Sequence, residues 1–160
     1  ENRIKKDDAD FKALLESELG HPVIIIPWTP HEDDVYGHSD GFIKWCGDNR
    51  ILMGNHGDCY PEESASIRRI LESYGFEVTE MRFKDKVSMP CYELNWAYIN
   101  FLQVGKNIIM PIFDIPEDAI SQQYIQTAFP DCNIRQIEMK EIAKEGGALH
   151  CLSWNAYLPK

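Results

Sequence analysis

His38 and Asp40, with one residue between them in "YGHSDGF", and Cys151 in "GGALHCLSW" are the side chains whose types could do chemistry together. In an extended segment, residues two apart point to the same side, so His38 and Asp40 would present a proton carrier and a carboxylate to one space. Gly37 and Gly41 bracket them and would let the backbone turn tightly and approach a ligand. Cys151 follows Gly146-Gly147, which reads as a nucleophilic thiol on a glycine hinge or as an inert thiol in a buried strand. Taken singly, each feature is more often structural: a hydrogen-bonded surface pair in the first case, a packed thiol in the second. His150 would face away from Cys151 on a strand, in a packing or hydrogen-bonding role.

Composition narrows what these groups could act on. The 160 residues suggest one domain with a real core, and the 44% hydrophobic and 26% charged residues are ordinary for a soluble globular protein. The formal charge of −10 argues against a nucleic-acid partner, which needs a basic face, and would draw cations toward a cleft. No run of eighteen apolar residues exists, so no membrane partner is expected. Five cysteines, Cys46, Cys59, Cys91, Cys132 and Cys151, form no C-x-x-C pair, which points away from a zinc ribbon and toward reduced, cytoplasmic thiols. A zinc site drawn from His31, Asp33, Asp34, His38 and His56 has no supporting spacing, so no metal is expected. The chain starts at Glu1 and opens straight into helix-like sequence, which reads as a fragment and leaves an upstream targeting signal open.

The elements that must position the three side chains repeat along the chain. "FKALLESELGHPVIIIP" (11–27), "IRRILESYGFEVTEMRF" (67–83) and "AISQQYIQTAFPDCNIRQIEM" (119–139) each read as an amphipathic helix, a turn and a strand. Ile67, Ile70, Leu71 and Tyr74 make one apolar helical face, and Gly20 and Gly75 stand where helix-ending glycines would. Hairpins precede the second and third copies, turning at Gly47-Asp48-Asn49 and at Gly105-Lys106. Asp114 would cap the last long helix, with Glu117 completing a capping box. The unit is strand, strand, helix, strand, with an αβ half over about 1–27, whole modules over 41–83 and 97–139, and a last strand within 146–157. A repeat that starts and ends in mid-unit suggests part of a larger ring.

"YGHSDGFIKW", "YINFLQVGKNIIMPIFD" and "GGALHCLSW", in that order, resemble the agmatine deiminase and bacterial-type (Porphyromonas-type) peptidylarginine deiminase family. These are guanidino-group-modifying enzymes of the pentein fold. The resemblance covers roughly residue 23 to the end and implies an α/β (α+β) fold, a partial pentein αβ-propeller of repeated ββαβ modules. It places a general acid/base on His38, a guanidinium-gripping carboxylate on Asp40 and the nucleophile on Cys151. Glu145 and Ala148 depart from the family's glycine and asparagine at those positions, which bears on loop geometry and substrate-tail contacts. Ser153 replaces a common threonine. Trp28, Trp154 and Asn155 are weaker candidates for lining the substrate cavity, with core packing an equal reading.

The resemblance thus implies a hydrolytic deiminase acting on agmatine or on arginine, free or peptidyl. The chemistry calls for no cofactor, because a thiolate attacks the delocalised guanidinium carbon directly. Two readings compete: an amidinotransferase of the same fold, and a non-catalytic pentein module used for binding or assembly. The partners implied are a small or peptidyl guanidinium substrate, with a homo-oligomer or the missing N-terminal modules completing the ring. A second guanidinium-binding carboxylate would belong to those modules.

Overall fold

Two three-stranded sheets, built alike, dominate the computed structural model, which describes residues 9–27, 37–83, 94–154 and 156. The chain divides into a unit over Glu1–Gly37 and a larger one over His38–Lys160. In the first, α1 (Ala9–Leu19) ends at Gly20, whose φ of 68° lets its N–H reach back to the Glu16 carbonyl at 3.0 Å. The Glu16 carboxylate also accepts the N–H of Val23, at 2.9 Å. Residues 23–26 were expected as a strand, but they have no ladder partner among the described residues and lie in irregular backbone. A run of four apolar residues supplies the propensity for a strand, and only a pairing neighbour makes one.

In the larger unit, β1 (Ile43–Trp45) and β2 (Arg50–Met53) form an antiparallel hairpin, with Ile43 opposite Met53. The short α2 (His56–Cys59) and α3 (Pro61–Ser73) then carry the chain to β3 (Glu77–Glu80), which lies parallel to β2. The second sheet repeats the plan. Strands β4 (Leu102–Val104) and β5 (Asn107–Ile112) pair antiparallel, α4 (Glu117–Ala128) crosses over, and β6 (Asn133–Glu138) returns parallel to β5. Equivalent backbone hydrogen bonds close both parallel pairs. Glu77 donates to the Asn49 carbonyl and Asn133 to that of Lys106, each at 2.7 Å. At the other end Met81 donates to Met53, and Met139 to Ile112. The last helix, α5 (Lys140–Ala143), follows directly.

The helix faces differ in detail from their sequence patterns. On α3 the buried positions are Ser64, Ile67 and Leu71, whereas Tyr74 is exposed because the helix has already ended at Ser73. Asp114 does not cap α4, since its φ of 58° takes the backbone out of the capping conformation. Asp118 takes up the loop instead, accepting the N–H groups of Phe113 at 3.0 Å and Ile115 at 3.1 Å. It also accepts the Tyr98 hydroxyl, at 2.6 Å. Burial and the neighbouring Asp118 push the Tyr98 hydroxyl far above the usual phenol range, so it stays a donor.

A 3-10 segment, Asn95–Ile99, joins the two sheets and runs through the core. Tyr98 packs edge-on against Phe83 and Phe113, with ring centres 5.8 and 5.1 Å apart. Leu94, Ala97, Ile99, Asn100 and Phe101 are also fully buried, which fixes the path of the backbone at residue 100. Phe113→Ala should cost about 3–5 kcal/mol by opening a cavity here. Tyr98→Phe, which removes one hydrogen bond to a carboxylate, should cost about 1.5–3 kcal/mol. The urea midpoints of the two variants, read against the parent chain, check both values and their order.

Three of the cysteines, Cys46, Cys132 and Cys151, are free, while Cys59 is disulfide-bonded. That departs from the expectation of uniformly reduced thiols. No helix among the described residues is long and apolar enough to cross a membrane.

Candidate active site

Asp40 sits in a single 3-10 turn, Ser39–Gly41, that leads into β1. The turn is closed by the Gly41 N–H on the His38 carbonyl at 2.9 Å and tied to the end of β2 by Gly54 N–H on the Phe42 carbonyl, also at 2.9 Å. The expected extended run over 38–40 is therefore broken after His38, which alone has strand-like φ and ψ of −68° and 98°. His38 heads the turn that carries Asp40.

Cys151 also lies on a turn, not on the strand expected within 146–157. The Leu152 N–H bonds to the Ala148 carbonyl at 3.0 Å, a helix-like closure that leaves no ladder to form. The glycine pair has two distinct uses here. Gly146 adopts a φ of 97°, which side-chain-bearing residues rarely take. At Gly147 a methyl group would lie 3.1 Å from the Cys151 Cβ, so the bare backbone lets the turn fold tightly onto itself.

The two turns meet. Cys151 Sγ donates to Asp40 Oδ2 at 3.1 Å, across 111 residues of chain. Between them, fully buried, stands Asn100. Its Oδ1 accepts the backbone N–H groups of Ala148 and Cys151, both at 3.2 Å. Its Nδ2 donates to the Asp40 carboxylate at 2.9 Å and to the Asp40 carbonyl at 3.2 Å. Its own carbonyl accepts the His150 N–H at 3.0 Å. Sequence reasoning gave Asn100 no role. The available signal was an amide between Ile99 and Phe101, where an apolar residue would serve better unless every polar group is satisfied.

The electrostatics follow from these contacts. Burial works to raise the Asp40 pKa, but hydrogen bonds from the Cys151 thiol, from its own backbone and from Asn100, with the His150 charge, hold it below the ordinary carboxylate value. Loss of hydration at the sulfur's inner side, then the hydrogen bond to Asp40, push the Cys151 thiol above its ordinary value. The Asp40 charge adds to that rise, and contacts with Asn100 and Ala148 offset part of it. Lys44 on β1 donates to the Phe101 carbonyl at 3.3 Å, with its ammonium 4.8 Å from the centre of the Phe101 ring. Burial lowers its pKa, while Asp40, Cys151 and Cys46 counteract.

At rest, then, the proton is on sulfur and the negative charge is on Asp40. In the unliganded chain, alkylation of Cys151 by neutral iodoacetamide should be slow at neutral pH and still rising above pH 9. Only the thiolate reacts, and its fraction grows as pH climbs through a raised pKa. Peptide mass spectrometry across pH 6–10 reads this directly, and a plateau below pH 8 would show a thiol of lowered pKa.

Trp154 is 88% exposed. Trp28 and Asn155 lie outside the described residues, as do His31, Asp33 and Asp34. Among the described residues no cluster of three or more His, Cys, Asp or Glu side chains could hold a metal ion.

The model of the Porphyromonas-type peptidyl-arginine deiminase family matches residues 2–156. The chain belongs to that family. Among curated relatives, the agmatine deiminase of Pseudomonas putida is 39% identical over 174 residues, a match covering 89% of this chain and 46% of that protein. The agmatine deiminase of Ectopseudomonas mendocina is 25% identical over 182 residues, covering 94% and 49%. The chain thus spans about half the length of the curated relatives it matches. The fold agrees with that of solved structures. C. jejuni agmatine deiminase superposes with a TM-score of 0.73 at 19% identity, over 94% of this chain and 46% of that one. An amidinotransferase from Microseira wollei superposes with a TM-score of 0.51 at 17% identity, over 87% and 36%. The two sheets are thus a partial pentein fold of mixed α/β type.

Proposed function

We propose that the protein carrying this chain is a hydrolytic deiminase of guanidino groups, acting on agmatine or on free or peptidyl arginine, with Cys151 as nucleophile. The observation that carries the reading is the 3.1 Å contact between the Cys151 thiol and the Asp40 carboxylate, brought from opposite ends of the larger unit. The relatives named agmatine deiminases support it, as does a solved C. jejuni agmatine deiminase described with substrate bound.

A planar guanidinium presents paired N–H donors that a carboxylate grips through two parallel hydrogen bonds. When it occupies Asp40, it takes the oxygen that now accepts the thiol proton, and its positive charge favours the thiolate. The thiol proton passes to His38, and Cys151 attacks the guanidinium carbon, forming a C–S bond and a tetrahedral adduct. His38 delivers a proton to one nitrogen, the C–N bond breaks, and ammonia leaves. The remaining thiouronium is attacked by a water that His38 deprotonates; the C–S bond breaks, restoring the thiolate and releasing the ureido product. The sum is guanidinium plus water giving ureido product plus ammonium.

The test is ammonia release by the full gene product on agmatine, free arginine and an arginyl peptide. One ammonia per ureido product on at least one of them is expected, with no change in product when a primary amine is added. Transfer of the amidino group to that amine would instead indicate the amidinotransferase reading. Silence on all three substrates from a folded protein would favour a binding module.

A further inference from the structure

We propose that Lys44 is a positioning residue, a cation seated on the Phe101 carbonyl and ring that favours negative charge on the nearby Asp40 and Cys151 side chains. The inference rests on the reading of Cys151 as nucleophile. Its test needs no turnover, so the two can fail separately.

The seat joins two elements. Lys44 stands on β1, and its ammonium donates to the Phe101 carbonyl at 3.3 Å while lying 4.8 Å from the centre of the same residue's ring. Phe101 is fully buried, which fixes both the carbonyl and the ring. A carbonyl oxygen and an aromatic face attract a cation, yet neither carries a full charge that would neutralise it. The charge is therefore left to act on the acidic groups around it: Asp40 from its turn, Cys151 from the second turn, and Cys46 just beyond β1. Two other basic groups are less suited to this role. His150 acts on Asp40 but is exposed, and Arg50 acts on Cys46 while donating to the carbonyls of Ala128 and Cys46.

The proposed chemistry needs such a cation. A thiolate beside the Asp40 carboxylate sets two like charges together, which disfavours the ionised sulfur. A bound guanidinium relieves this, but the ureido product is neutral. Between turnovers Lys44 is the positive charge that stays.

Lys44→Met keeps the apolar stem and removes the charge, whereas Lys44→Arg keeps the charge. In the unliganded chain at pH 8, alkylation of Cys151 by iodoacetamide should slow about threefold in Lys44→Met, half a pKa unit's worth, with its profile moved to higher pH. The sign follows because loss of a nearby cation raises a thiol pKa and lowers the thiolate fraction. Lys44→Arg should stay close to the parent, and Cys132 should react at an unchanged rate in both. A Lys44→Met profile that superposes on the parent, or equal slowing in both variants, would overturn the proposal.

If Lys44→Met loosens the chain, seen as rapid alkylation of the buried Cys46, the reciprocal measurement decides. The coupling acts equally on both partners, so Cys151→Ser should lower the titration midpoint of Lys44, read from its side-chain carbon resonances, by about half a pH unit. An unchanged midpoint would overturn the coupling.

Discussion

Replacing Cys151 by alanine in the full gene product should cut guanidino-group deimination by more than about 10⁴-fold while leaving binding of a guanidinium ligand within a few-fold of the parent. On the proposed mechanism the thiolate supplies the bond to carbon, and no neighbouring group among the described residues can take over. Lys44 is held by the Phe101 carbonyl and ring, and Cys46 is buried with its sulfur turned to the Lys44 carbonyl at 3.5 Å. On the same proposal binding survives because Asp40 grips the cation, and its anchor on Asn100 is one the substitution does not touch. Steady-state ammonia release with calorimetric titration of the same ligand separates the two quantities. Retention of even a hundredth of the parent rate would remove Cys151 from the chemistry.

Asp40→Ala should fail in a different way. It removes one arm of the guanidinium grip, so kcat/KM should fall by about 10²–10³-fold, with ligand binding weakened too. Its effect on the bare thiol has the opposite sign. The hydrogen bond to Asp40 and the carboxylate's charge both raise the Cys151 pKa, so their loss lowers it. Iodoacetamide should therefore alkylate Cys151 faster in Asp40→Ala than in the parent at pH 7–8, even as turnover collapses. A reactive thiol in a poor enzyme is the signature of a carboxylate that holds the substrate and restrains the nucleophile. If both activities fall together, Asp40 is supporting the fold of the turn and not the cation.

Local pattern made the repeating plan readable. Hairpin turns such as Gly47-Asp48-Asn49 and the helical spacing of Ile67 and Leu71 act within a few residues, so the two sheets follow from short-range signals. Where a segment's conformation depends on a distant neighbour, the same signals misled. Residues 23–26 are apolar enough for a strand yet pair with nothing described. The stretch within 146–157 reads as a last strand, whereas the Ala148 to Leu152 hydrogen bond closes a turn. Asp114 was the obvious cap, and Asp118 took the work because the loop at 114 turns left-handed.

The site shows the same division. His38, Asp40 and Cys151 are chemically expressive types and stood out as residues, and the structure puts the last two within hydrogen-bonding distance. Asn100 stood out to nothing in the pattern. Its partners lie 60 residues before it and 48 and 51 after it, so its role exists only once the buried path from Leu94 to Phe101 is in place. Trp154 drew notice as an aromatic beside the motif, and the residue is 88% exposed in this chain.

The central claim is that Cys151 is a thiol tuned to attack a bound guanidinium, and a haloacetamidine tests it most directly. The reagent carries the same planar cation and alkylates sulfur, so docking on Asp40 would place its carbon against Cys151 and lower the thiol pKa at that moment. In the full gene product at neutral pH, peptide mapping should find Cys151 labelled well ahead of the other free thiols among the described residues, Cys46 and Cys132. Excess agmatine or arginine should protect Cys151, and neutral iodoacetamide should show no such preference. Equal labelling of all free thiols by the cationic reagent, with no protection by either guanidinium compound, would mean that Cys151 is an ordinary thiol.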